Sequence, residues 1–172
     1  MGRGLFPDEY VRSAYDVDYE KLYREGIRGI IYDIDNTLVL PDAPADTRSR
    51  KLLEYLGRIG LKAVVVSNNR EPRVKRFSDD TNGTPYVHRA WKPLPSGYRR
   101  AMEKMGTDRT NTVFIGDQLY TDVAGANLAG LRTILVKPMT YREEPQIVLK
   151  RAAEIPALVL YRLREKFRRK PF

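Results

Sequence analysis

Short apolar runs typical of buried strands alternate with stretches of helical spacing along most of this sequence. Residues 29–34 (GIIYDI) and 61–66 (LKAVVV) are each predicted to form a strand. Between them, Leu52 and Leu56 lie one helical turn apart in a helix predicted over 47–59. A strand, a helix and a second strand in succession form a β-α-β unit, in which the two strands run parallel.

The alternation continues through the following seventy residues. Helices are predicted over 71–77, 95–105 and 121–129, and strands over 86–89, 112–115 and 133–136. Strands that alternate with helices favour an α/β fold, in which a parallel central sheet carries helices on both faces. Ligands of such sheets bind beyond the carboxyl ends of the strands, so functional residues are expected at that edge.

The chain has 172 residues and 42% hydrophobic residues, which suits one domain with one core. We expect a helical N-terminal arm over 1–25, a catalytic core over 26–140 and a basic helical tail over 141–172. In the arm, Tyr10, Val11, Ala14 and Tyr15 have roughly helical spacing, and a second short helix is predicted over 16–24.

Composition excludes several classes of site. There is no cysteine, so disulfides, thiolate metal ligands and cysteine nucleophiles are excluded. His88 is the only histidine, which excludes a histidine metal cluster. No apolar run approaches the length that crosses a bilayer, and the first residues, with Asp8 and Glu9, lack the apolar stretch of a secretory signal. We therefore expect a cytoplasmic protein that is soluble, or peripheral at the inner face of a membrane.

The positive charge is concentrated near the C-terminal end. The net charge is +9, and residues 150–172 contain eight basic and two acidic residues. In the same region, apolar residues fall near helical spacing at Ile155, Leu158, Val159, Leu163 and Phe167. A basic amphipathic helix can lie on an anionic membrane surface. An ordinary surface helix docked on the domain, followed by a solvated basic end, explains the pattern equally well.

Acidic residues follow two of the predicted strands. Asp33 and Asp35 end the first, Asp117 follows the strand 112–115, and Asp122 lies one helical turn later. Carboxylates gathered at one edge of a sheet repel each other unless a cation lies among them, and a set of oxygen ligands suits Mg²⁺. For Asp122, an interaction with the N-terminus of the following helix is an alternative interpretation.

The spacing of the first two acids suits phosphomonoester hydrolysis. In extended backbone Asp33 and Asp35 point to the same side, so one carboxylate can attack phosphorus while the other protonates the leaving group. The hydroxyl of Ser67 and the backbone N–H of Asn68 could bind phosphoryl oxygens, and the ammonium of Lys92 could neutralise charge on them. Taken singly, Ser67 could be a helix cap and Lys92 a surface charge.

Four motifs occur in an order that resembles a known superfamily. They are DIDNTL at 33–38, Ser67, Lys92 and GDQLYTD at 116–122. This set resembles the haloacid dehalogenase (HAD) superfamily, and it covers about residues 27–137. The resemblance implies a HAD-like Rossmannoid fold, a three-layer α/β/α sandwich with a parallel central sheet.

The resemblance also implies a role for each motif residue. Asp33 would form an aspartyl-phosphate, and Asp35 would protonate the leaving group and later activate water. Ser67 and Lys92 would hold the phosphoryl group, and Mg²⁺ would bind Asp33, Asp117 and the backbone carbonyl of Asp35. Asp122 would support the metal or orient Lys92.

A narrower resemblance extends over nearly the whole chain. The runs LFPDEYV at 5–11, GIRGI at 26–30 and WKP at 91–93 resemble the YqeG-type branch, subfamily IIIA, which also contains the mitochondrial phosphatidylglycerophosphate phosphatases. That branch implies a phosphatase, with phosphatidylglycerophosphate as the suggested substrate and an anionic membrane surface as a possible partner.

The spacing of the motifs leaves no room for a cap domain. A separate domain needs about 50 residues or more, whereas 39–62 and 68–91 are each filled by a helix and its connections. An open site suits a phosphate presented on a large body such as a bilayer. Two alternatives stay open: a phosphatase of a soluble nucleotide, sugar phosphate or phosphoprotein, and a basic nucleic-acid-binding protein on the same fold. The complete set of acids disfavours the second, so nucleic acid is not the expected partner.

Overall fold

The described strands of this chain form one parallel sheet. The computed structural model describes residues 4–140, 155–156 and 158–161. The strands are β1 (Glu9–Val11), β2 (Gly29–Tyr32), β3 (Lys62–Val66), β4 (Tyr86–Val87), β5 (Thr112–Gly116) and β6 (Arg132–Val136). Their order in the sheet is β1-β6-β5-β2-β3-β4. The helices are α1 (Tyr19–Arg24), α2 (Thr47–Arg58), α3 (Glu71–Asp80), α4 (Pro95–Met105) and α5 (Ala124–Leu128).

Helices cover both faces of the sheet, because side chains alternate between the faces along each strand. On one face, Ile30 and Tyr32 belong to a buried cluster that includes Leu52 and Leu56 of α2. On the other face, Ile31 belongs to a cluster that contains buried residues of α4 and α5. The predicted three-layer α/β/α sandwich is confirmed.

The central strand β2 brings Asp33 beside the carboxyl ends of its two neighbours, β3 and β5. Tyr32 is in register with Val65 of β3 and with Ile115 of β5. The next residue, Asp33, still donates its backbone N–H to the Ile115 carbonyl at 3.0 Å. Residues that follow β2, β3 and β5 therefore leave the sheet at the same carboxyl edge.

Most predicted boundaries are close to those in the structure. The helix α4 covers the predicted residues, and α2 ends one residue early. A capping box begins α2, since Asp46 Oδ1 accepts from Ser49 N at 2.7 Å while Asp46 N donates to Ser49 Oγ at 3.0 Å. The helix α3 continues to Asp80, three residues beyond the prediction, and β4 is two residues shorter than predicted.

The N-terminal arm differs from the helix expected at its start. Glu9–Val11 is a strand that pairs with β6, where Tyr10 is in register with Leu135. A three-residue strand is too short for its spacing to distinguish strand from helix. Its formation is explained by β6, whose outer edge would otherwise present unpaired backbone groups. The second short helix of the arm is confirmed as α1.

No cap domain interrupts the described core. The chain between β2 and β3 contains a loop and α2, and the chain between β3 and β4 contains α3 and its connections. Among the described helices, none has both the length and the apolar character needed to cross a bilayer.

The described part of the C-terminal tail packs against the domain near β6 and the N-terminal arm. Residues 155–156 and 158–161 are helical, and Leu158 packs on a cluster that contains Leu119 and Leu135. The buried ring of Tyr161 stacks on Phe6, with centroids 6.2 Å apart. Leu158 and Tyr161 therefore contact the domain, whereas Ile155 and Val159 are exposed. The apolar positions 163 and 167 of the predicted amphipathic helix lie outside the described residues.

Candidate active site

Three buried carboxylates converge at the carboxyl edge of the sheet. Asp33 follows β2, Asp117 follows β5, and Asp122 lies in a π-helical turn at Leu119–Val123. One carboxylate oxygen from each lies within 4.8 Å of the others, and all three residues are buried. The predicted convergence of these acids therefore occurs, although Asp117 lies more than eighty residues from Asp33.

The ammonium of Lys92 lies between two of the acids. Its Nζ is 2.5 Å from Asp33 Oδ1 and 2.7 Å from Asp122 Oδ1, and the lysine side chain is only 5% exposed. Burial by itself lowers the pKa of Lys92, but the carboxylates of Asp122 and Asp33 outweigh it and raise this pKa above its ordinary value. Lys92 is therefore a cation, and the position of Asp122 agrees with the expectation that it orients Lys92.

The acids outnumber the cation. Burial raises the pKa of Asp33 well above its ordinary value, and the opposing attraction of Lys92 is offset by the carboxylates of Asp122 and Asp117. When all three acids are ionised, the cluster with Lys92 has two uncompensated negative charges. A divalent cation held by carboxylate oxygens would balance that charge, so the donor set fits a hard ion.

Asp122 is fixed by the backbone of the turn that precedes it. Its Oδ2 accepts hydrogen bonds from the backbone N–H groups of Asp117 and Gln118, each at 3.1 Å. A Cβ at Gly116 would lie 2.5 Å from this same oxygen, so only glycine leaves the carboxylate its place. The hydroxyl of Tyr98 donates to the Thr121 carbonyl at 2.8 Å and thereby holds the turn from α4.

The loop after β2 supports Asp117 and closes against the loop after β6. Thr37 Oγ1 donates to Asp117 Oδ1 at 3.1 Å. Asn36 has a φ of 63°, a left-handed conformation that Asn tolerates better than most residues. Its carbonyl accepts from Met139 N at 3.1 Å and its Oδ1 accepts from Thr140 N at 3.0 Å. The start of this loop is thus held against Asp117 and against the segment after β6.

The carboxylate of Asp35 lies outside the cluster of three acids. Its Oδ1 accepts from Arg73 Nη2 at 2.7 Å and from Asp42 N at 3.0 Å, and its Oδ2 accepts from Asn69 Nδ2 at 2.7 Å. Its side chain is 23% exposed, against 8% for Asp33. Asp35 is therefore at the mouth of the site, where a leaving group would depart.

The loop after β3 anchors the lysine. Asn68 Oδ1 accepts from Lys92 N at 2.7 Å, and Asn68 Nδ2 donates to the Lys92 carbonyl at 3.1 Å. Ser67 Oγ accepts from Asn69 N at 3.1 Å. The Asn68 side chain therefore holds the Lys92 backbone, whereas the expected binding of phosphate by Ser67 and by the Asn68 backbone N–H stays a prediction.

Comparison with known proteins identifies the family. A family model described as HAD-hydrolase-like matches residues 90–165. The probable phosphatase YqeG of Bacillus subtilis (strain 168) is 43% identical over 136 residues, which is 78% of each chain. This chain belongs to the HAD-type phosphatases.

More distant relatives agree with this family. Phosphatidylglycerophosphate phosphatase 1 of Arabidopsis thaliana is 28% identical over 155 residues, which cover 84% of this chain but 44% of that protein. The crystal structure of a 4-nitrophenylphosphatase from Thermotoga maritima aligns with a TM-score of 0.54 at 14% identity, covering 71% of this chain and 89% of that one. At that identity the structural similarity shows only the shared fold.

Three residues of this HAD phosphatase site were not assigned a role from the sequence. They are Thr37, Tyr98 and Arg73, which contact Asp117, the turn before Asp122 and the carboxylate of Asp35, respectively. Thr37 lies within the DIDNTL motif, so a role near the acids was detectable. Tyr98 and Arg73 lie on helices, where nothing in the local pattern distinguishes them from packing or surface residues.

Proposed function

We propose that this HAD phosphatase is a Mg²⁺-dependent phosphomonoester hydrolase that acts through an aspartyl-phosphate on Asp33. The observation that carries the proposal is the contact of Lys92 Nζ with Asp33 Oδ1 at 2.5 Å inside the cluster with Asp117 and Asp122. An ammonium in this position can neutralise the oxygens of a phosphoryl group as it is transferred to Asp33.

The magnesium ligands would be the Asp33 and Asp117 carboxylates and the backbone carbonyl of Asp35. When bound, Mg²⁺ would offset the repulsion between these acids and a doubly negative phosphate. Thr37 supports this assignment because its hydroxyl donates to Asp117 Oδ1 and thereby orients that carboxylate.

In the first step, an Asp33 carboxylate oxygen attacks phosphorus and the bond from phosphorus to the leaving oxygen breaks. Asp35 gives its proton to that oxygen, so an alcohol leaves rather than an alkoxide. A protonated carboxyl must point its O–H at the leaving oxygen. Asp35 therefore exchanges at least one of its present contacts, with Arg73, Asn69 or Asp42, when substrate binds.

In the second step, water attacks the phosphorus of the aspartyl-phosphate and Asp35 takes a proton from that water. The bond between phosphorus and the Asp33 oxygen breaks, which releases inorganic phosphate and restores both carboxyl groups. Lys92 stays charged in both steps because Asp122 and Asp33 raise its pKa.

We further propose phosphatidylglycerophosphate as the substrate. The relative of that name in Arabidopsis thaliana supports this assignment, although this chain spans less than half of that protein. The open architecture supports it too, since a site without a cap can reach a phosphate at a bilayer surface.

A substrate screen tests both parts of the proposal. Release of inorganic phosphate would be measured with Mg²⁺ and with excess chelator, on phosphatidylglycerophosphate in mixed micelles and on soluble nucleotides, sugar phosphates and phosphoproteins. We expect turnover only with Mg²⁺ and the highest kcat/KM on the lipid. Preference for a soluble phosphoester would refute the lipid assignment and leave the chemistry in place, whereas full activity with chelator would refute the metal site.

A further inference from the structure

Four large apolar side chains are exposed at the carboxyl edge of the sheet. The exposed fractions are 48% for Leu40, 68% for Trp91, 59% for Leu94 and 41% for Met139. Leu40 lies in the loop after β2, Trp91 and Leu94 in the loop after β4, and Met139 in the segment after β6. We call these four residues the apolar rim.

The apolar rim belongs to the same loops as the active site. Trp91 directly precedes Lys92, whose Nζ contacts Asp33. Met139 donates its backbone N–H to Asn36, and Leu40 follows Val39, whose carbonyl accepts from Asn36 N at 2.7 Å. A surface that covers the rim would therefore also face the entrance to Asp33.

The backbone conformation of the loop, and not the side-chain rotamer alone, directs Trp91 toward solvent. Its φ is 55°, a left-handed conformation that is unfavourable for a bulky residue, and Leu94 N donates to the Trp91 carbonyl at 2.8 Å. The adjacent Lys92 is held inward by Asn68 and Asp33. The loop therefore directs a lysine into the site and a tryptophan out of it.

Cations accompany the apolar rim. Arg12, Arg70, Arg89 and Lys137 are exposed, and they follow the ends of β1, β3, β4 and β6. Within the described ranges, none of the four forms an ion pair. Two exposed acids also lie near this edge, Asp42 at 3.8 Å from Arg73 and Glu71 at 3.8 Å from His88. Outside the buried acid cluster, the four exposed cations outnumber these two acids.

A combination of tryptophan, aliphatic side chains and cations matches an anionic phospholipid surface. Tryptophan is favoured at the boundary between headgroups and acyl chains, aliphatic side chains enter the acyl region, and arginine and lysine attract anionic headgroups. A nucleic acid would use the cations but gain nothing from Leu40, Leu94 and Met139. A second copy of the chain would bring two positively charged edges together.

We infer that the carboxyl edge of the sheet docks this protein on an anionic phospholipid bilayer, with the active-site entrance facing the membrane. The inference rests on the proposed lipid substrate, which it deepens by naming the surface that meets the bilayer. In this geometry the headgroup phosphate reaches Asp33 while the acyl chains stay in the membrane.

Trp91 is the only tryptophan of the chain and therefore reports on docking directly. Tryptophan fluorescence of the full chain would be recorded with vesicles of phosphatidylglycerol and phosphatidylcholine in equal amounts, and with phosphatidylcholine alone. We expect a blue shift with the mixed vesicles, and quenching by lipids brominated on their acyl chains. Co-sedimentation with mixed vesicles without a shift or quenching of Trp91 would overturn the inference.

Matched variants separate the rim from non-specific adhesion. Leu94→Ser and Met139→Ser should each weaken binding to the mixed vesicles severalfold. The control Leu128→Ser removes a leucine that is more exposed than either, at the end of α5 on the opposite edge, and should leave binding unchanged. Lys137→Glu should weaken binding more than fivefold at low salt. Loss of one basic residue at an anionic surface alone weakens binding about fivefold, and the substitution also adds a negative charge. Arg58→Glu, at the end of α2, is its control. Equal effects of rim and control variants would overturn the inference.

The same samples distinguish a failure of docking from a failure of the proposed function. Hydrolysis of 4-nitrophenyl phosphate without vesicles measures the chemistry alone and should be unchanged in Leu94→Ser and Lys137→Glu. If Trp91 enters the vesicles but phosphatidylglycerophosphate is not hydrolysed, docking stands and the lipid assignment fails. If the lipid is hydrolysed in micelles while Trp91 never shifts on vesicles, the function stands and docking fails. A Trp91 response to single-stranded DNA or to self-association, and not to vesicles, would also overturn docking.

Discussion

Arg73 Nη2 donates to Asp35 Oδ1 at 2.7 Å, which joins α3 to the candidate acid of the reaction. The arginine side chain is only 9% exposed, and its Nε and Nη1 are buried without a hydrogen-bond partner in the described part of the chain. A buried guanidinium with free donors is costly unless it serves another acceptor. Arg73 is therefore suited to hold Asp35 between steps and to bind an oxygen of the substrate when Asp35 turns to the leaving group.

We expect Arg73→Met to reduce kcat about 10- to 100-fold on alkyl phosphates and much less on 4-nitrophenyl phosphate, because a good leaving group has little need of an acid. Steady-state kinetics on both substrates measures this difference. Lys75→Ala, an exposed position on the same helix, is the control. An equal loss on both substrates would indicate that Arg73 acts only through the fold.

Asp33→Asn should abolish turnover, because an amide does not attack phosphorus, while the fold is kept. In the metal-free protein the raised pKa of Asp33 also predicts how stability depends on pH. The native state retains a proton that the unfolded state releases near pH 4, so the free energy of unfolding falls as pH rises from there through the raised pKa. Thermal unfolding with chelator should show this decline in the wild type and a weaker one in Asp33→Asn. Measurable turnover by the variant would contradict the nucleophile assignment.

The sequence predicted the sheet, its layers and the acids at its edge, because strand patterns and motifs both depend on residues that are close together in the sequence. It could not predict β1, because its three residues form a strand only through pairing with the outer edge of β6. Nor could it reveal the contact between Arg73 and Asp35, which are 38 residues apart and meet only through the packing of α3. Asp122 shows the intermediate case. Its motif was apparent, but its contact with Lys92 depends on the turn at Leu119–Val123.

Lys92→Met should destabilise the metal-free protein by about 3–5 kcal/mol, because it leaves the buried carboxylate of Asp122 without its cation. Saturating Mg²⁺ should restore part of this loss, and kcat should stay about 100- to 1,000-fold below wild type. Chemical denaturation with Mg²⁺ and with chelator measures the two contributions. Lys104→Met, an exposed lysine of α4, should change neither. Stability of Lys92→Met equal to wild type in chelator would contradict the charge balance described for the site.

Gly116→Ala should lower kcat about tenfold or more with little change in the affinity for Mg²⁺, since its Cβ would displace Asp122, one of the two carboxylates that hold Lys92. Kinetics as a function of Mg²⁺ concentration separates the two effects. Gly57→Ala is the control, because a Cβ there meets no neighbouring atom and stabilises the α2 helix. A loss of metal affinity without a loss of kcat would place the effect on Asp117 instead.

Removal of residues 162–172 tests what the basic tail adds to docking. The deletion takes away six basic residues but retains Tyr161, whose ring stacks on Phe6. If the tail only supplies charge, affinity for anionic vesicles should fall at low salt and converge with that of the full chain at high salt, because salt screens the attraction. At saturating vesicles Trp91 should still be quenched by brominated acyl chains, and hydrolysis of 4-nitrophenyl phosphate should be unchanged. Loss of Trp91 quenching at saturation would instead make the tail the part that inserts, since the apolar positions 163 and 167 would then be needed for contact with the acyl chains.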